Sequence, residues 1–321
     1  MAIQRPVAHL VVGGQDCSGA EAALVRMRVV LGTGDAHDAV YATFGPKSPL
    51  DVDVGAVCEF SLGYGDDLSK VLTGSVVALD RYPWGFSLEA LAKSHLLSAL
   101  RVGQSYIQQT AADIVQDLLS RAEVDPGEID AAQTIAAYYA EERVTAWRHV
   151  QNLATLAGCE VSSSEDGALN CRPAKQGSAA DRSLRYGADL IGWSFGPRRP
   201  DHTDVSVVPY GAASEEGTDK WHILLREPDG GAPSTPTRVP APVRDRDAAH
   251  AFEDGQKSRA ARRGQAGSML LIGDSAVRAG DLVSIEDLPQ GPNGVVRVAE
   301  VTHVFDRRAG FCTRVAVEAV A

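Results

Sequence analysis

No run of apolar residues in this chain approaches the roughly 20 that a membrane-spanning helix requires. The N-terminus lacks the charged-then-apolar opening of a secretory signal, so the sequence predicts a protein made and folded in the cytoplasm, without membrane insertion. Cysteine is scarce. Cys17, Cys58, Cys159, Cys171 and Cys312 form no CxxC pair and no Cys/His cluster, which points to reduced packing thiols and not to a metal site or a disulfide framework. Basic charge is thin as well: 31 Lys and Arg stand against 42 Asp and Glu, for a formal net charge of −11. Nucleic acid is therefore not an expected ligand, because phosphate binding needs a concentrated basic surface. The one local basic run, Arg259, Arg262 and Arg263, reads as a solvated helix face.

Catalytic frames are missing too. The chain has no GxSxG, no HExxH, no P-loop and no GxGxxG after a strand. His37-Asp38 and His202-Thr203-Asp204 have no third ligand at helical or hairpin spacing and read as surface loops. Asp66-Asp67 and Glu215-Glu216 are sequence neighbours whose carboxylates point apart, unlike the facing acids of glycoside cleavage. Glu141-Glu142 precedes a helix, where negative charge complements the N-terminus. His149 lies beside an apolar helical stripe and is expected to be hydrogen-bonded at a core boundary; His303 is expected on a strand face. Trp84, Trp147, Trp193 and Trp221 are scattered and read as core or interface anchors. No active site, cofactor site or metal site is expected.

What the chain does have is pattern. Its 44% hydrophobic and 23% charged content is that of a globular protein, and 321 residues suffice for two to four packed units. Between residues 103 and 179 the period becomes helical. Thr110 with Asp113 suggests a capping box, after which Ile114, Val115, Leu118 and Leu119 share a stripe. A second helix runs from Val144 through Trp147, Val150 and Leu153 to a stop at Gly158. Cys159 to Val161 and Ala168 to Arg172 then form a predicted hairpin around Ser163–Gly167.

Strand-like alternation flanks this module. Ala23–Val30, Ala56–Leu62, Val71–Leu79 and Phe86–Ala92 are predicted strands separated by short, regular turns, which favours a barrel or sandwich. The C-terminal tail repeats the layout. Placing Gly55 on Gly280 without a gap brings Val71 onto Val296, Val76 onto Val301 and Gly85-Phe86 onto Gly310-Phe311. We read this as duplication of one β-domain. Between the module and the second copy, Leu184–Ser194 is expected to return to the first domain. Val205–Tyr210 and Trp221–Leu225 are further predicted strands, residues 227–245 a Pro-rich crossover, 248–263 a polar helix and Met269–Gly273 a strand. The expected class is α+β, mainly β: a first tube-like barrel from residues 1–102 plus about 180–212, an inserted helix-helix-hairpin module at 103–179, and a second barrel at 213–321.

The run Gln104-Ser105-Tyr106 to Asp113-Ile114-Val115, the tryptophan-bearing helix ending in Leu153–Gly158 and the hairpin after it resemble the late control D family. These are central hub proteins of contractile tail baseplates, related to the N-terminal part of type VI spike proteins. The resemblance covers nearly the whole chain and implies a homotrimer that adapts a sixfold inner tube to a threefold spike. It implies as partners the chain itself, a trimeric spike protein, the first ring of inner tube protein, and wedge or LysM-type adaptor proteins. Phe60 with Ile285, and Phe86 with Phe311, would then hold equivalent places in the two barrels, entered at Gly55 and Gly280, while Trp147 anchors the module outside the ring. Related spike proteins continue into a further barrel and needle where this sequence stops at Ala321, so the spike is expected as a separate polypeptide or elsewhere in the gene cluster. A phage tail and a phage-derived injection particle both fit. The rival classes are a tail-associated cell-wall hydrolase, which needs a nucleophile or paired acids, and a monomeric carbohydrate-binding sandwich.

Overall fold

Alternating burial governs this chain, and strand far outweighs helix among the described residues. The computed structural model describes residues 5–34, 36–199, 206–207, 237–238, 242–244, 246–289, 291 and 293–320. In order the strands are β1 (Pro6–Val12), β2 (Gln15–Ser18), β3 (Leu24–Gly32), β4 (Ala39–Phe44), β5 (Val57–Tyr64), β6 (Asp67–Tyr82) and β7 (Gly85–Ala92). The module follows with α1 (Leu96–Ala99), β8 (Gln104–Thr110), α2 (Ala111–Arg121), β9 (Pro126–Ile129), β10 (Thr134–Ala140), α3 (Ala146–Leu156), β11 (Cys159–Ser163) and β12 (Leu169–Pro173). Next come β13 (Arg182–Arg185), β14 (Leu190–Pro197), β15 (Ser206–Val207), β16 (Thr237–Arg238), α4 (Arg246–Arg263), β17 (Gln265–Ile272), β18 (Leu282–Glu286), β19 (Gly294–Asp306) and β20 (Gly310–Ala319).

Thirteen strands share one sheet. Its first half has the order β3-β4-β7-β6-β5-β1-β2, and its second half the order β14-β17-β20-β19-β18-β13. Apart from β2, which has no counterpart, the second half repeats the order of the first, so β13 and β14 correspond to β1 and β3. That corrects one expectation. The segment around Leu184–Ser194 does not return to the first unit but opens the second: β13 pairs with β18 and β14 with β17. Leu184 and Leu190 are buried in that setting, which is why the strands sit there. One ladder departs from the repeat, since β1 is antiparallel to β5 whereas β13 is parallel to β18.

Irregular features repeat along with the order. Gly55 and Gly280 have φ of +91° and +94°, a region open to glycine at little cost. Each donates its N–H to a valine carbonyl, Gly55 to Val76 and Gly280 to Val298, both at 2.7 Å. A register shift follows each valine, between Val76 and Ala78 and between Val298 and Glu300. Another pair of shifts lies between Leu24 and Arg26 and between Leu190 and Gly192. The ungapped overlay is therefore wrong in detail. Val76 corresponds to Val298 and not to Val301, because Phe60 pairs with Leu72 while Ile285 pairs with Gly294 across a hairpin three residues shorter.

The module has its own core, running from Leu97 to Cys171 and including Tyr106, Ile114, Leu118, Trp147 and Leu153. At α2 the amide of Asp113 donates to Thr110 Oγ1 and the amide of Thr110 donates to Asp113 Oδ2, each at 3.1 Å, closing the capping box. Thr145 caps α3, starting it at Ala146 and not Val144. What reads as a polar break between the helices holds β9 and β10, which pair with β12 and β8. In the hairpin Val161 faces Cys171 and Cys159 faces Pro173, and all five cysteines are free. Gly255, inside α4, lets that helix touch the end of α3: a Cβ there would come within 2.8 Å of Gly158 Cα. The expected strands at 205–210 and 221–225 and the crossover at 227–245 lie largely outside the described residues.

Candidate assembly interface

The two halves of the sheet join where β19 meets β3. The first residues of β19 pair with β18, and residues 300–306 pair with β3, from Glu300 opposite Gly32 to Asp306 opposite Arg26. Thr33 N–H donates to Ala299 O at 3.3 Å and Arg307 N–H to Val25 O at 3.0 Å, so the odd-numbered residues exchange the ladder hydrogen bonds. Those residues also face the core. Val301, His303 and Phe305 on β19, and Met27, Val29 and Leu31 on β3, are all buried. His303 Nδ1 meets Thr313 Oγ1 at 2.9 Å. Burial, aided by the Arg278 charge, pushes the His303 pKa down to about 3, so it packs as a neutral ring. Arg278 itself reaches across to the first unit and donates to the carbonyls of Lys70 and Val71.

A second contact ties the module and α4 to the second unit. Glu160 of β11 accepts from Arg262 Nη2 at 2.7 Å and from Arg297. Glu318 of β20 accepts from Arg262 Nε at 3.0 Å and from Arg297 Nη1 at 2.7 Å. Two carboxylates thus share two guanidinium groups, and both arginines are buried. Arg262 is accordingly not on a solvated face, because α4 packs that side onto the sheet. The basic run at 259–263 carries no local sign of this; the sharper signal in the sequence is Arg297 and Glu318, single charges inside the apolar strand runs Val295–Val298 and Val315–Val320.

His37-Asp38 is likewise no surface loop. The His37 ring lies 4.3 Å from that of Trp147, and its two nitrogens meet Ser94 Oγ at 3.0 Å and Ser98 Oγ at 2.7 Å. Burial lowers its pKa to about 4. Trp147 thus packs in the module core and also touches the first unit. Asp38 is enclosed and accepts from Gly32 N–H at 2.8 Å; burial pushes its pKa up to about 7, against hydrogen bonds from Gly32 and Ser163. His149 is buried between Tyr138 Oη at 2.8 Å and Glu141 O at 3.2 Å.

Phe60 and Ile285 hold the same ladder place in the two units, and both are fully buried. Phe86 and Phe311 each follow the glycine that opens the closing strand, but they are not ladder counterparts. Phe86 pairs with Arg81, whose counterpart His303 pairs with Thr313, because the second hairpin runs two pairs further. Phe86 stacks on Phe44 at 4.7 Å within the first unit, whereas Phe311 meets Tyr64 across the joint at 5.8 Å.

A cavity of about 470 Å³ lies between β3, α3 and α4, lined by His37, Asp38, Glu160 and Arg262 among others. Glu160 and Arg262 are tied up in ion pairs, and both ring nitrogens of His37 are engaged by the hydroxyls of Ser94 and Ser98. Among the described residues no group of three or more His, Cys, Asp or Glu side chains is placed to hold a metal ion. None of the described helices is long and apolar enough to cross a membrane. His202–Asp204 and Glu215-Glu216 lie outside the described residues.

No family model matches the chain, and no curated protein does. Solved structures do. A tail protein from Neisseria meningitidis MC58 superposes with a TM-score of 0.76 at 14% identity, covering 98% of this chain and 96% of that one. The 43 kDa tail protein of prophage MuSo2 from Shewanella oneidensis gives 0.70 at 14% identity, with 98% of each chain covered. An E. coli type VI secretion component, described as similar to the phage T4 tail proteins gp27 and gp5, gives 0.63 at 10% identity over 93% of this chain and 74% of that one. The fold is that of these tail proteins.

Proposed function

We propose that this protein is the central hub of a contractile tail baseplate or of a related injection particle. In this role it is structural and not catalytic. Three chains form a ring of six similar β-units; one face seats the first sixfold ring of inner tube protein, and the other accepts a trimeric spike. The observation that carries this is the internal repeat, in which two units of matching strand order and matching irregularities are joined side by side through one sheet. A closed ring demands the same contact surface at each step. A chain that makes one such step within itself supplies two of six, and three chains supply all six. The likeness in fold to phage tail proteins and to a type VI component supports the same reading. The module, clamped to the second unit through Glu160, projects from the ring and meets wedge or LysM-type adaptor proteins. Sedimentation over a range of concentrations, with electron-microscopic class averages of the purified protein, tests the proposal. Rings of three chains with six lobes are expected; a monomer throughout, or a stoichiometry not divisible by three, overturns it.

A further inference from the structure

The joint between β19 and β3 is made once within the chain, and the repeat leaves both of its halves exposed a second time. The counterpart of β19 is β6, whose residues beyond Val76 have no partner on the β5 side among the described residues. The counterpart of β3 is β14, whose outer edge has no strand partner among the described residues. Burial marks the difference. Where the joint is made, Val301, Met27 and Val29 are fully buried. At the counterpart positions Leu79, Trp193 and Phe195 are half-buried apolar side chains at the margin of the same core. Beside them Tyr82, Trp84 and Ile191 are among the large hydrophobic residues left exposed, Trp84 at 68% and Ile191 at 55%.

From this geometry we infer that β6 of one copy of this chain pairs antiparallel with β14 of the next, in the register of the internal joint. The number of copies rests on the trimeric hub reading; the pairing itself rests on the ladder. The matched bulges fix the register. Val76 stands for Val298 and Leu24 for Leu190, so Val301 opposite Leu31 becomes Leu79 opposite Pro197. His303 opposite Val29 becomes Arg81 opposite Phe195, with Asp80 opposite Gly196 and Tyr82 opposite Ser194 at the flanking non-hydrogen-bonded pairs. The occupant is a second copy because the edge it must complement is one this chain already builds and already fits.

The edges also carry a signature of controlled pairing. Arg198 N–H points inward to Gly264 O, so the neighbouring Pro197 lacks the N–H that would face outward. Proline is tolerated at such edge positions and blunts indiscriminate strand addition. This joint therefore has fewer hydrogen bonds than its internal model.

Cysteine pairs test the register. Non-hydrogen-bonded antiparallel pairs bring Cα atoms to about 4.5 Å, within disulfide reach. Asp80→Cys combined with Gly196→Cys, oxidised at assembly concentrations, should give covalent dimers and trimers and nothing larger. Asp80→Cys combined with Ser194→Cys, two residues out of register, should give little. Hydrogen exchange of the unmodified protein is the independent measure: the Arg81 and Phe195 amides should slow on assembly. Trimers that form without the in-register bond and without that protection overturn the pairing and leave the hub reading standing. Failure to form trimers at all overturns both.

Discussion

Asp38 shows what a single enclosed carboxyl can do to the molecule. In the unfolded chain it loses its proton near pH 4; in the fold, burial holds the proton to about pH 7. The folded state therefore binds more protons across that window, and stability falls as pH rises through it. Over about three pH units the effect reaches at most about 4 kcal/mol. The histidines act oppositely. His37 and His303 are held neutral, at about 4 and 3, so their contribution is present above pH 6.5 and is lost as the solution becomes more acid. Asp38→Asn isolates the first effect. It keeps an acceptor for the Gly32 amide and cannot ionise, and the histidine slopes cancel on comparison with the parent. The variant should match the parent near pH 4 and melt higher at pH 7–8. Melting curves that run parallel across this range would refute the account.

At the level of elements, the Glu160–Arg262–Arg297–Glu318 cluster decides whether module, α4 and second unit behave as one body. Removing one partner of a buried ion pair costs about 3–5 kcal/mol, because the other charge stays buried and uncompensated. Glu160→Gln takes the charge from a residue that links β11 to both α4 and β19. Hydrogen exchange should then quicken in α4 and in the β11–β12 hairpin while β1–β7 keep their protection. Unchanged exchange in α4 would show that apolar packing alone, with Phe252 and Ala249 near Leu156, holds the helix. Such elements differ in how far the sequence reveals them. α2 and α3 are readable because capping and stripe are local, as at Thr110 and Asp113, and β5, β6 and β7 because turns punctuate clean alternation, whereas the four-residue α1 leaves no such mark. β4 and β10 are not readable, since Ala39–Phe44 and Thr134–Ala140 are short and rich in alanine. The ion cluster joins residues far apart in sequence, and only the lone charges in apolar strands hinted at it. The repeat was visible at Gly55 and Gly280, but its register was not, because loop lengths shift without leaving a local mark.

For the whole molecule the proposed ring raises the question of how open strand edges avoid indiscriminate pairing. The internal joint is permanent, buried on its core side and braced by Arg278. In the proposed ring its counterpart between chains forms on encounter, and Pro197 removes one N–H donor from it. Pro197→Val restores that donor opposite Leu79 while leaving the inward ladder to β17 intact, since the Arg198 amide already serves that side. A net hydrogen bond contributes about 0.5–1.5 kcal/mol, so the dissociation constant per joint should fall roughly two- to tenfold. Trimers should persist at correspondingly lower concentration in sedimentation, with the melting temperature of the dilute monomer little changed. The same donor would also open the edge to unintended strands, so slow aggregation above the assembly concentration is the expected companion. If association is unchanged while the monomer folds normally, Pro197 does not lie at the contact, and the edge that closes the ring must be sought elsewhere.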